Sequence, residues 1–385
     1  MSRSLEAAAR AAAVPPFRAM AMAREAVELE LSGRRVLHLE VGQPATGAPA
    51  LARDAVTQLL ADGAPLGYTN APGLPSLRRG IAAHYADWYG VDVDPASILA
   101  VGGASAGFTL AFLAAFDAGD RVGILEPGYP CYRNTLLALG VEPVAIPVGP
   151  DTRWAPTPEL LDAAGPLRGL VVASPSNPTG TVLSLTQQAE IAAWCAARGV
   201  QLVADEIYHG ITYGTPAATM LSATRDAVVV NSFSKYFSMT GWRLGWMVVP
   251  DHLRDAVERL QQNVYICAPH VSQVAGAAAL RAGAELDEHV AGYTANRSVL
   301  VDGLAAAGID RIAEADGAFY VYADVGHLTE SASELCSRWL HDLGVATTPG
   351  LDFDLARGER FVRFSYAGAT ADMAAACEAL AGWRP

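Results

Sequence analysis

Between Asp120 and Val249 short apolar runs alternate with helical stretches, and that alternation leaves few folds open to the chain. Residues 121–125, 144–148, 169–173, 201–204, 227–231 and 244–249 read as strands, while 132–139, 158–164 and 185–198 read as helices. Apolar runs interleaved with helices in this way belong to a sheet buried on both faces, an α/β architecture with mainly parallel strands. In an open sheet of that kind the ligand crevice lies beyond the carboxyl ends of the strands. Tyr129, Asn177, Asp205, Tyr208 and Lys235 all follow predicted strand ends, which makes them the first candidates for a site.

The flanking segments follow another pattern. Behind Pro15 and Pro16 an Ala/Glu-rich helix is expected over 18–32, stopped at Gly33, then a short strand over 36–40. That strand runs into Val41-Gly42-Gln43-Pro44, a turn in which Gly42 admits close approach of another group. Helices are expected at 50–62 and 76–89, the second with Ser76 as N-cap, on either side of the turn-rich segment 67–75. A strand at 98–101 opens on Gly102-Gly103-Ala104-Ser105-Ala106-Gly107 and an apolar helix over 108–116. Strand, small-residue turn and helix together make an anion site, because free N–H groups and the positive helix end face the same point. The turn matches neither GxGxxG nor GxxxxGK[ST], which argues against dinucleotide and P-loop readings.

Beyond residue 249 a helical region at 251–281 is broken at Pro269, and a long helix is expected over 286–307. Strands at 318–324, 345–348 and 361–366 then mix with helices at 331–343 and 370–380. The expected organisation is an N-terminal arm with part of a small domain (1–45), a large domain (46–283) and a small α+β domain (284–385), consistent with the length of 385 residues.

A net charge of −13 without a basic arm excludes nucleic acid as the main partner. No export signal is evident at the start, and no uncharged apolar run is long enough to span a bilayer, so the expectation is a soluble protein with no membrane partner. Five scattered cysteines, never in CxxC spacing, read as reduced cytoplasmic thiols. Eight scattered histidines lack ligand spacing, and no metal is expected. His209 sits beside Tyr208, yet reads as a packed side chain.

Lys235 is the only lysine in the chain, against 26 arginines. Where a solvated charge suffices the two are interchangeable, but guanidinium cannot lose its proton to attack a carbonyl or form a Schiff base. A lone lysine in Ser232-Phe233-Ser234-Lys235 therefore points to covalent amine chemistry. Arg243, eight residues on in Gly241-Trp242-Arg243-Leu244-Gly245, adds a clamp for a phosphate.

With Ser174-Pro175-Ser176-Asn177-Pro178-Thr179-Gly180 and Asp205-Glu206-Ile207-Tyr208 upstream, the chain resembles the aminotransferase class I/II family of fold-type I pyridoxal-phosphate enzymes from Pro16 to the final helix. The resemblance implies a large domain with a mainly parallel seven-stranded-type sheet. It also implies that Lys235 holds pyridoxal 5′-phosphate covalently and later shuttles a proton, and that Asp205 keeps the ring nitrogen protonated. Tyr208 and Asn177 would hydrogen-bond the ring oxygen, and Tyr129 would stack on the ring. Gly103, Ala104, Ser105, Ser232 and Arg243 would cradle the phosphate. Arg363 would grip the substrate carboxylate opposite Gly42, and Tyr68 would reach the cofactor of a neighbouring subunit in a homodimer.

The implied reaction is a ping-pong transfer of an amino group from an L-amino acid to a 2-oxo acid through pyridoxamine phosphate. The alternative is a β/γ-lyase or cyclising synthase on the same scaffold. A ligand-sensing module behind a DNA-binding domain is disfavoured by the acidic charge and by the few residues ahead of Pro16. With no second lysine available at the Ser105 position, an acidic substrate would need an arginine for its distal carboxylate, and Arg133 and Arg297 are the candidates.

Overall fold

The computed structural model describes residues 7–384. Twelve strands run in chain order as β1 (Leu37–His38), β2 (Ile98–Val101), β3 (Arg121–Glu126), β4 (Glu142–Pro147), β5 (Gly169–Ala173), β6 (Gln201–Asp205), β7 (Val228–Ser232), β8 (Gly245–Val248), β9 (Tyr320–Asp324), β10 (Val345–Ala346), β11 (Thr348–Pro349) and β12 (Phe361–Ser365). Seven of them form the main sheet in the order β2-β8-β7-β6-β5-β3-β4. All its neighbours are parallel except β8, which runs antiparallel to both β2 and β7.

Both faces of this sheet are apolar, and alternate residues of each strand feed different cores. Leu99, Val101, Val203, Val228 and Val230 pack on one side with the helices Ala104–Ala115, Pro130–Leu139 and Asp251–Val264. Ile98, Ala100, Leu202, Ala204 and Val229 face the other, with Pro75–Tyr89, Leu185–Arg198 and His270–Ala279. Each Val, Leu or Ile side chain removed from water here contributes about 1.5–3 kcal/mol. That double burial explains why the strands read as continuous apolar runs. The helix Leu185–Arg198 starts on a capping box, with the Ser184 hydroxyl and the Gln187 side chain satisfying each other's backbone N–H groups.

The smaller sheet, β11-β12-β9, is antiparallel. β10 pairs instead with β1, which brings the N-terminal segment to the C-terminal part of the chain. The expected strand over 345–348 is thus two short strands serving two sheets. The strand expected over 36–40 shrinks to Leu37–His38, and that over 318–324 begins only at Tyr320, because Ala318 takes a left-handed conformation with φ 57°. Ser76 is not an N-cap: the helix begins at Pro75, whose fixed φ suits the first turn, after Leu74. Among the described residues no helix is long and apolar enough to cross a membrane.

The helix Arg18–Leu31 has no capping side chain of its own. The Asp352 carboxylate supplies the cap from 333 residues away, accepting from the N–H groups of Arg18 at 3.0 Å and Ala19 at 2.8 Å. Asp352→Ala is expected to cost the start of this helix about 1 kcal/mol, roughly a fivefold rise in hydrogen exchange. Amide exchange mapped by mass spectrometry should show that rise over residues 18–22 with β5 and β6 unchanged; equal exchange in mutant and parent would remove the capping role.

Candidate active site

Beyond the carboxyl ends of β3, β5, β6 and β7 lies a cavity of about 200 Å³. Gly42, Tyr129, Asn177, Asp205, Tyr208, Lys235 and Arg363 all line it, so residues spread over more than 300 positions meet in one place. Glu40, Phe17, Met20, Tyr132 and Tyr320 line it as well.

Lys235 stands just past β7. Its Nζ donates to the Gly42 carbonyl at 2.6 Å, flanked by the rings of Tyr208 and Phe319, each 5.6 Å away. Burial, with the positive charge of Arg363 and more weakly of Arg243, pushes the amine down to about 8, while Asp205 pulls the other way. Asp205 ends β6 and is 3% exposed. One carboxylate oxygen accepts from the Ile207 N–H at 3.0 Å and the other from the Tyr132 hydroxyl. Burial raises this carboxyl to about 6, against the opposing pull of those two hydrogen bonds and of Lys235. The Tyr208 hydroxyl lies 2.7 Å from that of Tyr320.

Arg363, on β12, is buried. Its guanidinium donates to Asn177 Oδ1 at 3.1 Å, to the Glu40 carbonyl at 2.5 Å and to Thr348 Oγ1 at 3.4 Å, and lies over the rings of Tyr320 and Phe353. Its Nε is buried without a partner among the described residues, which leaves a donor for an anionic ligand. Gly42 is tied to the same corner, because a Cβ there would overlap the Tyr320 hydroxyl.

The anion side forms a second group outside the cavity wall. Gly103 has φ 84°, and a Cβ on it would run into the Arg243 guanidinium. The helix Ala104–Ala115 starts directly after it, so its first N–H groups have no partner within the helix. Arg243 lines a neighbouring open groove that shares Gln43 and Thr240 with the cavity. The Ser232 hydroxyl is 3.0 Å from Ser234 Oγ and accepts from the Ser234 N–H, which braces the turn carrying Lys235. Ser105 is exposed on the helix start. Tyr68 is 82% exposed and touches neither opening.

The sequence reading missed Tyr320 and the bond from Tyr132 to Asp205. Tyr132 carried a weak signal, lying one helical turn after Tyr129. Tyr320 carried none, since its place depends on β9 meeting a segment 112 residues earlier. Arg133 and Arg297 do not reach the cavity. Arg133 is buried against Glu126 at 3.1 Å, and Arg297 donates to the Ala315 carbonyl at 2.7 Å. His209 is packed, 2.7 Å from the Tyr89 hydroxyl.

Residues 34–380 match the model of the family described as aminotransferase class I and II. Among relatives, a valine–pyruvate aminotransferase of Mycobacterium tuberculosis is 51% identical over 97% of each chain. An aspartate aminotransferase of Pyrococcus horikoshii is 31% identical over 89% of each. Among solved structures, an aminotransferase from Mycobacterium tuberculosis is 50% identical with a TM-score of 0.96 over 99% of both chains. An aspartate aminotransferase from Thermus thermophilus with maleate is 28% identical, with a TM-score of 0.92 over 98% of this chain and 99% of that one.

The depressed Lys235 amine has a direct test, because no other lysine competes for a reagent. Below about pH 8 the amine is mostly protonated and unreactive; above it the free base dominates. Trinitrophenylation of Lys235 in cofactor-free protein, followed by peptide mass, should rise about tenfold per pH unit up to that point and then level off. A rate still climbing at pH 10 would show an ordinary solvated lysine.

Proposed function

The chain belongs to the aminotransferase class I and II family, and from that premise we propose that pyridoxal 5′-phosphate is held at Lys235 and that small neutral amino acids are its amino donors. The protein is an aminotransferase, moving an amino group from an amino acid to a 2-oxo acid; its named relatives do not favour an eliminating or cyclising reaction. The observation that carries the cofactor assignment is the meeting of an amine lowered to about 8, a buried carboxylate and a buried arginine in one cavity.

The residues present fit the group. Gly103 leaves the room beside Arg243 that a Cβ would fill, next to the free N–H groups of a helix start, and this suits a phosphate. Asp205 would carry its charge beside the ring nitrogen, and its raised pKa reflects a buried acid that a neighbouring cation would relieve. Tyr129 would pack on the ring face; Tyr208 and Asn177 would donate to the ring oxygen. When bound, the cofactor offers an aldehyde that an amine can capture and a ring that draws off the electron pair left when Cα loses its proton.

Around it, Arg363 holds the substrate carboxylate through a charge-assisted pair, oriented by Asn177 and the Glu40 carbonyl. Lys235 Nζ, once its amine is free, takes the proton from Cα and returns it on the far side of the transfer. Phe17 and Met20, from the N-terminal segment, border the cavity in which that exchange would occur.

Specificity for a neutral side chain rests on charge. Lys235 and Arg363 are the only cations on the cavity wall among the described residues, and both have assigned partners, so a distal carboxylate would meet none. The valine–pyruvate activity named for the 51%-identical relative agrees with that. We take the chain as a large domain over 46–283 and a small one over 284–385 joined by part of the N-terminal arm 1–45, and the described residues of all three ranges contribute to the cavity. The exposed Tyr68 supports a homodimer in which it reaches the partner's phosphate, and five free cysteines support a cytoplasmic setting.

Single amino acids added to the holoenzyme without oxo acid test this reading. Valine and alanine should bleach the long-wavelength absorbance band, with kcat/KM for aspartate at least about 100-fold lower than for valine, since an unpaired buried charge costs roughly 3 kcal/mol or more. Aspartate reacting as well as valine would overturn the specificity, and Lys235→Arg retaining turnover would overturn the covalent role.

A further inference from the structure

We propose that Tyr320 is a positioning residue whose hydroxyl donates to Tyr208, so that the single proton of Tyr208 is directed at the cofactor's ring oxygen. This rests on the proposed contact between Tyr208 and that oxygen, and goes beyond it by adding a residue that touches neither cofactor phosphate nor substrate carboxylate.

The two hydroxyls are 2.7 Å apart, and both side chains are buried, at 3% and 1% exposure. A phenol has one proton to give and two lone pairs to receive. Either tyrosine could be donor in the isolated pair. Once an anionic oxygen draws the Tyr208 proton, Tyr208 can keep the bond to Tyr320 only as acceptor, and the pair becomes a relay of two donations. Such chains polarise one another, so each member strengthens the next.

The backbone fixes the relay from both sides. The entrance to β9 is stitched to the other part of the chain by Tyr213 N–H to Asp316 at 2.8 Å, Gly317 N–H to Gly180 at 2.8 Å and Ala318 N–H to Ile211 at 3.0 Å. Tyr208 lies three residues before Ile211, so one set of main-chain bonds governs both hydroxyls. Glycine at position 42 leaves the space that the Tyr320 hydroxyl needs. The Arg363 guanidinium, 4.4 Å above the Tyr320 ring, holds the ring's other face.

The groups facing the pair are Lys235 and Arg363 as cations, with Tyr129 across the cavity; Asp205 and Arg243 act on Lys235 from their own elements. Donation to the ring oxygen stabilises its negative charge, so it holds the proton on the Lys235 nitrogen less firmly. Losing a donor therefore moves the deprotonation of that nitrogen to higher pH.

The test is a pH titration of the visible absorbance of resting holoenzyme in the parent, Tyr320→Phe, Tyr208→Phe and the double variant. Phenylalanine keeps the ring under Arg363 and removes only the hydroxyl, and near-ultraviolet circular dichroism checks that the fold is retained. Tyr208→Phe should raise the midpoint by about 1 to 2 units and Tyr320→Phe by about half a unit, with the double variant no higher than Tyr208→Phe alone. A shift in Tyr208→Phe but none in Tyr320→Phe, or additive shifts in the double variant, would overturn the relay and leave the cofactor assignment standing. No shift in either would overturn the relay together with the Tyr208 contact it rests on.

Discussion

Asp205 is the group whose burial the rest of the site has to answer. It ends β6 with almost no solvent contact, one oxygen on the Ile207 N–H and the other on the Tyr132 hydroxyl, and its charge is still costly enough that the acid is raised to about 6. The parallel sheet makes that position available, since every strand before β8 in the crevice ends at the same edge. Lys235, one strand over, lies in the same desolvated space, and burial acts on it in the opposite sense. A buried acid and a buried base thus both reach the range where protons can move near neutrality, and the apolar packing that makes the sheet stable is what tunes them.

A second level of order comes from arginine. Arg363 satisfies carbonyl, amide and hydroxyl acceptors from three separate segments, with two aromatic rings against its flat faces. A lysine could not do this, because the fork and the plane are both used. At the other end Arg243 packs on Gly103, where the backbone takes a conformation that glycine adopts without strain. The chain's one lysine stands instead where burial lowers the amine to about 8.

Much of this was legible because the informative residues sit in short local motifs. Lys235, Asp205 and Asn177 each lie at or just past the end of a strand, Arg243 lies just before β8, and continuous apolar runs mark those strands. What was not legible depends on pairing between distant segments. The run 345–348 reads as one strand, yet Val345 pairs with Leu37 and Thr348 with Arg363. The cap of the helix Arg18–Leu31 comes from Asp352, and the Tyr208 hydroxyl meets Tyr320; no local spacing encodes either contact. Ser76 failed as a cap for a local reason, because the preceding proline already sets the first turn.

The reversed strand β8 has a consequence for how such a site can change over time. Ser232 and Gly245 are paired across β7 and β8, so the amine of Lys235 and the guanidinium of Arg243 hang from one hairpin. The span between them is set by a hydrogen-bonded ladder rather than by how the two parts of the chain approach. Phe17, Met20 and Arg363, which border the remaining volume, come from other segments. Substitution in those segments can therefore reshape the cavity while the span between the Lys235 amine and the Arg243 guanidinium, held by one ladder, stays as it is.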